Sequence, residues 1–104
     1  MANKLPNKTR QAVYDRADRC CEWCGSNDRC QIHHIILKSQ RVNHDLENLL
    51  MLCWEHHHGD YGIHGKHGAD FNNKLKLRLQ KMYFDKGLSE NEVRYKLGGK
   101  LYIE

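Results

Sequence analysis

The sequence predicts a small α+β fold, a single domain over residues 1–104. Its hydrophobic core is small and needs additional stabilisation from a cross-link or a bound metal. A chain of this length buries only about 60–65% of its unfolded surface, so a disulfide or a metal site commonly adds stability. The chain predicts one helix, then two short apolar strands, then two helices, and such segregated runs are typical of α+β folds. The chain also holds five cysteines and eight histidines, and all eight histidines fall between His33 and His67. This clustering indicates that a bound metal ion provides the additional stability.

The first part of the chain predicts one helix followed by two strands. A helix is predicted from about Lys8 to Asp18, where apolar residues recur at helical spacing. Gln31 to Leu37 predicts a strand because it carries three isoleucines. Asn48 to Cys53 predicts a second apolar strand or a strand-to-helix junction. Four glycines between residues 59 and 68 oppose a long helix there, so residues 8–68 form the predicted core.

The last third of the chain predicts a helical pair. From Ala69 to Asp85, five apolar residues fall near one helical face: Phe71, Leu75, Leu79, Met82 and Tyr83. A shorter helix follows, with Ser89 as N-cap and Glu92 completing a capping box. Leu101 to Ile103 predicts a final strand or a docked tail. Residues 69–104 are therefore predicted to be a basic helical C-terminal extension of the core.

Two pairs of cysteine and histidine stand at the spacing of zinc ligands. Cys21-x2-Cys24 and Cys53-x2-His56 are separated by 28 residues. Each spacing lets a tight turn or a first helical turn aim both side chains at one ion, and tetrahedral sets of cysteine and histidine suit Zn²⁺. Two further pairs compete for the same role and stay open: Cys20 with Cys24, and Cys30 with His33.

Composition bounds the cellular setting and the partners. No run approaches the roughly 18 apolar residues of a membrane-spanning helix, and residues 1–10 lack the apolar core of a signal peptide. We therefore expect a cytoplasmic protein without a membrane partner, where a reducing environment favours metal binding over disulfides. The net charge is +4, and two basic flanks surround a net acidic, histidine-rich middle. This distribution indicates an anionic partner such as a phosphate backbone.

Four motifs in fixed order give the sequence a family resemblance. Cys21-x2-Cys24-Gly25 comes first, His33-His34-Ile35-Ile36 second, Asp45-Leu46-Glu47-Asn48-Leu49 third and Leu52-Cys53-x2-His56-His57 last. In order and spacing this series, within about Val13 to Tyr61, resembles the HNH endonucleases. The resemblance implies a ββα-metal, treble-clef-like core with a structural zinc at the two ligand pairs. The predicted N-terminal helix and C-terminal helical pair flank that core.

The resemblance also implies roles for four residues in the hydrolysis of DNA phosphodiester bonds. His34 matches the general base, a task that suits a side chain with a pKa near neutrality. His33 and His57 match the ligands of a catalytic divalent ion that stabilises the phosphorane and the leaving group. Asn48 matches the asparagine that holds the base-bearing loop. Because adjacent side chains on a strand point to opposite faces, His33 and His34 are expected to have different tasks.

One departure from the family pattern bears on both the metal and the activity. His33 stands where the family usually has aspartate, so the catalytic ion is left open among Mg²⁺, Mn²⁺, Ni²⁺ and Zn²⁺. The same departure supports an alternative, a zinc-braced DNA-binding module without catalysis. With one site per chain, the catalytic interpretation predicts nicking by a monomer, but the sequence does not determine the oligomeric state.

Outside the four motifs the sequence gives broader expectations. Lys74, Arg78 and Lys81 are candidate DNA-phosphate contacts or, alternatively, part of a solvated helix face. His44 is interpreted as a surface residue or a polar residue with its own hydrogen-bond partner. Small stand-alone members of the HNH family are often encoded by phages, which would place such a protein in the host cytoplasm. The sequence assigns no role to five residues: Cys20, Cys30, His58, His64 and His67.

Overall fold

The predicted α+β fold is confirmed by a computed structural model, which describes residues 4–59, 62, 65 and 68–102. Its sheet is a two-stranded antiparallel ribbon. In chain order the elements are α1 (Asn7–Ala17), β1 (Gln31–His34), a 3-10 turn (Leu46–Asn48), β2 (Leu49–Leu52), α2 (Trp54–His58), α3 (Gly68–Asp85) and α4 (Glu90–Lys96). None of the described helices is long and apolar enough to cross a bilayer.

The ribbon lies between helices because β2 is buried on both faces. Side chains alternate between the faces of a strand. Leu49 and Met51 pack with Val13 of α1 on one face, whereas Leu50 and Leu52 face the C-terminal helices on the other. Six buried residues of α3 and of the α4 region complete that second face: Phe71, Leu75, Leu79, Tyr83, Val93 and Leu97. The C-terminal extension therefore shares a hydrophobic core with the ribbon.

Strand β1 is shorter than the sequence predicts. It ends at His34, so the prediction of a strand continuing to Leu37 was wrong. The fully buried Asn48 side chain accepts a hydrogen bond from the Ile36 N–H at 2.7 Å and donates one to the Ile36 carbonyl at 3.3 Å. These bonds occupy the backbone groups that a longer ladder would pair, and the chain turns away from the ribbon.

The predicted C-terminal helices are confirmed. The capping box of α4 is complete, because Ser89 and Glu92 each accept a hydrogen bond from the other's backbone N–H. The described part of the tail forms no strand. Instead, the backbone N–H and carbonyl of Tyr102 form hydrogen bonds of 2.7 and 3.0 Å with the Gln80 side chain of α3. Ile103, the end of the predicted strand or tail, lies outside the described residues.

Two glycines after α2 allow a close approach of the chain to that helix. A Cβ atom on Gly59 or Gly62 would come within 3 Å of the Glu55 carbonyl oxygen. A larger residue at either position would push against α2. This packing matters because α2 carries His56 and His57.

Candidate metal centre and active site

Four side chains converge where the turn after α1 meets the start of α2. The ligand atoms of Cys21, Cys24, Cys53 and His56 all lie within 4.8 Å of one another. Cys24 Sγ is 3.7 Å from Cys53 Sγ, and His56 Nδ1 is 3.3 Å from Cys53 Sγ and 3.9 Å from Cys21 Sγ. A tetrahedral Zn²⁺ ion at ordinary bond lengths separates two sulfur ligands by about 3.8 Å and a sulfur from a nitrogen ligand by about 3.5 Å. The donor set and its dimensions therefore fit zinc.

The backbone around Cys21 favours the thiolate that zinc requires. Gly25 closes the turn with a φ of 83°, a left-handed backbone conformation that glycine adopts at little energetic cost. The N–H groups of Trp23 and Cys24 each lie 3.4 Å from Cys21 Sγ. Burial raises the pKa of the Cys21 thiol, but hydrogen bonds from the backbone of Cys53, Cys24 and Trp23 outweigh burial and lower that pKa overall. Because the thiolate is the form that binds metal, a lowered pKa makes Cys21 a better zinc ligand than an ordinary cysteine.

An ion pair ties this turn to α1 and β2. Arg16 donates to both carboxylate oxygens of Glu22 at 2.7 Å, a bidentate geometry that is stronger than a single contact. Glu22 also accepts from the Met51 N–H at 2.9 Å, and Arg16 donates to the Leu49 carbonyl at 2.6 Å. The position of Cys21 is therefore fixed relative to β2.

The competing cysteine pairs are not brought together. Cys30 Sγ donates to the Ser26 carbonyl at 3.2 Å, and the described cluster of potential ligands includes neither Cys30 nor Cys20. Of the alternatives that the spacing left open, the structure assembles Cys21 with Cys24 and Cys53 with His56.

A second group forms where His33 of β1 meets His57 of α2. Both side chains are buried, and their ring centroids are 5.5 Å apart. Two imidazoles that share one tetrahedral ion at about 2.1 Å have centroids roughly 5.3 Å apart, so the spacing of the two rings is compatible with ligation of one divalent ion. His57 Nδ1 also lies 3.0 Å from Nε2 of the exposed His58. Although His56 and His57 are adjacent in α2, they approach different groups.

His34 is directed to a different partner, as the alternation along β1 predicts. Its Nε2 lies 3.1 Å from His44 Nδ1. Burial, followed by the charges of His44 and Lys38, lowers the pKa of His34 to about 4, so the ring is neutral at neutral pH. Of the two alternatives for His44, a surface residue or a polar residue with a partner, the structure favours the second, because His44 is half-buried against His34. No spacing rule links two histidines ten residues apart, so the sequence held no signal for this pair.

The Asn48 side chain is hydrogen-bonded to both segments that carry His34 and His44. Besides its two hydrogen bonds to Ile36, its Nδ2 donates to the Asn43 carbonyl at 2.8 Å. Ile36 lies two residues after His34, and Asn43 immediately precedes His44. One buried side chain therefore fixes both ends of the connection between the two histidines.

The C-terminal helices hold the same segment from the other side. Tyr83 donates to Asp45 at 3.0 Å and accepts from Asn43 at 3.0 Å. Lys96 Nζ donates to Asp45 at 2.7 Å, and the Lys96 carbonyl accepts from Asn43 at 3.1 Å. Burial raises the pKa of Tyr83, which keeps its hydroxyl protonated as a donor. This network has no local sequence signal, because its contacts join residues 38 to 53 positions apart.

The three basic residues predicted to contact DNA lie on exposed parts of α3. Lys74 and Arg78 are exposed, and Arg78 borders a cavity that Glu47 also lines. Lys81 lies 3.5 Å from Asp85 one turn further along the helix. The positive charge of α3 is therefore partly balanced by nearby carboxylates.

Substituting Asn48 by alanine is expected to lower the free energy of unfolding by roughly 2–4 kcal/mol, because the Ile36 N–H and the Asn43 carbonyl would lose their partners in a buried environment. Chemical denaturation of the zinc-loaded protein measures the change. Asn73→Ala is the matched control, since Asn73 is exposed on α3 and its loss should change stability by less than about 0.5 kcal/mol. Equal stability of the two variants would contradict the role assigned to Asn48.

The family model for HNH endonuclease matches residues 21–59. The match covers both strands, α2 and both histidine-containing groups, so it confirms the HNH resemblance for this segment. Helices α1, α3 and α4 lie outside the match. No curated protein and no solved structure gives a significant match to the chain. His64 and His67, for which the sequence predicts no role, lie outside the described residues.

Proposed function

We propose that the chain is a metal-dependent endonuclease that hydrolyses DNA phosphodiester bonds through its HNH-like segment, residues 21–59. The observation that carries the proposal is that His33, His34 and His57 line one open groove beside a Cys3His cluster that fits zinc. Phosphodiester hydrolysis requires a base for the attacking water and positive charge near the phosphate. The residue types in this groove can provide both.

His34 is proposed to accept a proton from the attacking water. Because its Nε2 faces His44, the nitrogen offered to water is Nδ1. The lowered pKa keeps the ring in the neutral form from which a base must start, and it also makes His34 a weaker proton acceptor than the pKa near neutrality expected from the sequence. Asn48 holds the two segments that bring His34 and His44 together, so it acts as a positioning residue rather than a catalytic one.

His33 and His57 are proposed to hold the catalytic divalent ion, whose chemistry is to stabilise charge on the phosphorane and on the leaving 3′ oxygen. Imidazole ligands suit Ni²⁺ and Zn²⁺ better than Mg²⁺, which prefers carboxylate oxygen. With imidazole at residue 33, we expect cleavage to depend more on Ni²⁺ or Zn²⁺ than on Mg²⁺ or Mn²⁺.

The other four ligands, Cys21, Cys24, Cys53 and His56, are proposed to hold a structural zinc ion. A closed set of four protein ligands is typical of a structural rather than a catalytic zinc site. His56 and His57 are neighbours in α2, so fixing His56 also fixes the orientation of His57. The two sites are thereby coupled through one turn of helix.

A zinc-braced DNA-binding module without catalysis is the second candidate function. The observation in its favour is His33, an imidazole at a position where HNH endonucleases usually carry a carboxylate. Such a module would keep the Cys3His cluster and bind DNA in a salt-dependent way, but it would leave the phosphodiester bonds intact.

We expect the zinc-loaded protein to convert supercoiled plasmid to nicked circles when a second divalent cation is added. Mg²⁺, Mn²⁺, Ni²⁺ and Zn²⁺ are compared by gel electrophoresis, and zinc-loaded protein without further cation is the control. DNA ligase should reseal the nicks, because HNH-type hydrolysis leaves 5′-phosphate and 3′-hydroxyl ends.

The outcomes separate the two candidate functions. Salt-dependent DNA binding without nicking in any of the four cations would contradict the endonuclease and support the binding module. Linear plasmid as the first product would contradict a single site acting as a monomer. Nicks that ligase cannot seal would contradict the proposed cleavage of the bond to the 3′ oxygen.

A further inference from the structure

The groove over the three histidines extends along the N-terminal segment and α1. It has a volume of about 570 Å³, which gives an extended ligand access to His33 and His57. No aspartate or glutamate occurs among its described lining residues. Three cationic side chains do line it: Lys4, Arg10 and Lys38. The groove is therefore positively charged beside the proposed reaction centre.

The three groove cations are not paired with carboxylates in the part of the chain that the structure describes. Within the described ranges, no carboxylate lies within 4.0 Å of the charged groups of Lys4, Arg10 or Lys38. Four cations of the C-terminal helices and their connection have such partners: Lys81 with Asp85, Lys86 with Glu47, Arg94 with Glu90 and Lys96 with Asp45. A nearby carboxylate reduces the attraction of a cation for phosphate. Lys74 and Arg78 of α3 also lack a described carboxylate within 4.0 Å, so the groove is distinguished by the position of its cations beside the three histidines.

We propose that this groove binds the DNA strand on both sides of the scissile bond, with Lys4, Arg10 and Lys38 as phosphate contacts. The proposal rests on the endonuclease function and specifies how its substrate is held. Ammonium and guanidinium groups bind phosphate oxygens without reading sequence, so the contacts give register and affinity rather than a target site. The N-terminal contacts Lys4 and Arg10 lie outside the segment that matches the HNH family.

The placement of the cations explains how a phosphate would reach the reaction centre. Lys38 follows β1 closely in sequence, whereas Lys4 and Arg10 come from the N-terminal segment and α1. Cations from separate segments therefore line the same groove as His33, His34 and His57. A strand that contacts both segments would pass over the histidines, where its phosphate meets the proposed base.

The test compares two double variants with the same change in charge. Arg10→Gln/Lys38→Gln removes two groove cations, and Lys74→Gln/Lys81→Gln removes two cations of α3. Binding of a short fluorescent DNA duplex is measured by anisotropy over a range of salt concentrations, with zinc-loaded protein and no second divalent cation. We expect the groove variant to lose about two units of the salt slope and roughly ten- to a hundredfold in affinity near 0.1 M salt, whereas the α3 variant keeps the wild-type slope.

The opposite pattern, a reduced slope for the α3 variant and a wild-type slope for the groove variant, would overturn the groove proposal even if plasmid nicking persists. Weak binding by the groove variant together with no nicking by the wild-type chain would support the groove and contradict the endonuclease. Because Arg10 is half-buried, folding is checked by zinc content and thermal melting. If the first pair is misfolded, Lys4→Gln/Lys38→Gln, which changes two exposed residues, carries the same expectation and the same contradicting result.

Discussion

Replacing Cys53 by serine is expected to abolish both stoichiometric zinc binding and cooperative unfolding. Cys53 Sγ lies 3.7 Å from Cys24 Sγ and 3.3 Å from His56 Nδ1, so its loss opens the ligand set at its buried side. Structural zinc contributes about 10–16 kcal/mol in zinc-finger peptides, more than the total stability of most small domains. A hydroxyl does not replace a thiolate as a zinc ligand, so most of this contribution should disappear.

Cys30→Ser is the matched control for this substitution. Cys30 is half-buried near the same turn, but its thiol donates to the Ser26 carbonyl, a bond that a serine hydroxyl can also make. Zinc content by elemental analysis and thermal melting by circular dichroism are measured for both variants. We expect Cys30→Ser to resemble the wild type, and a zinc-loaded, cooperatively melting Cys53→Ser protein would contradict the proposed ligand set.

Replacing His34 by alanine is expected to slow DNA cleavage by about 10²–10⁴-fold, the usual contribution of a positioned general base. His34 is not one of the four proposed zinc ligands, so zinc content and melting temperature should stay close to those of the wild type. Single-turnover cleavage of a labelled duplex gives the rate. Added imidazole should restore part of the activity, because it can occupy the vacated space beside His44 and accept the proton.

Local sequence signals predict the parts of this fold that local contacts determine. The pairs Cys21–Cys24 and Cys53–His56 were visible because ligands within one turn have a characteristic spacing. The capping box was visible for the same reason, since its two residues are three positions apart. These features form within a turn of the chain, so neighbouring sequence is sufficient to predict them.

Features that depend on distant residues could not be predicted in the same way. The early end of β1 depends on Asn48, whose side chain occupies the backbone of Ile36 twelve positions away. The partnership of His34 with His44 arises only after Asn48 has drawn their two segments together. The groove cations are also distant in sequence, and they come together beside the histidines only in the folded chain.

Because His56 and His57 are adjacent in sequence, one short helix contributes a residue to each of the two sites. One residue completes a cluster that fits a structural zinc, and the next lies against His33 in the proposed catalytic centre. Successive residues of a helix point in directions about 100° apart, which is enough to serve two sites from one short element. Loss of zinc is therefore expected to disorder His57, the proposed catalytic ligand, together with the fold.

A comparison of plasmid nicking by the wild type and by His34→Ala decides whether the groove is a nuclease site. Both proteins are assayed at equal zinc content and in the most effective divalent cation. We predict ligase-sealable nicks from the wild type, with the rate of His34→Ala lower by at least about a hundredfold. Equal nicking by the two proteins would contradict His34 as the base, and the absence of nicking by the wild type in every cation would contradict the endonuclease itself.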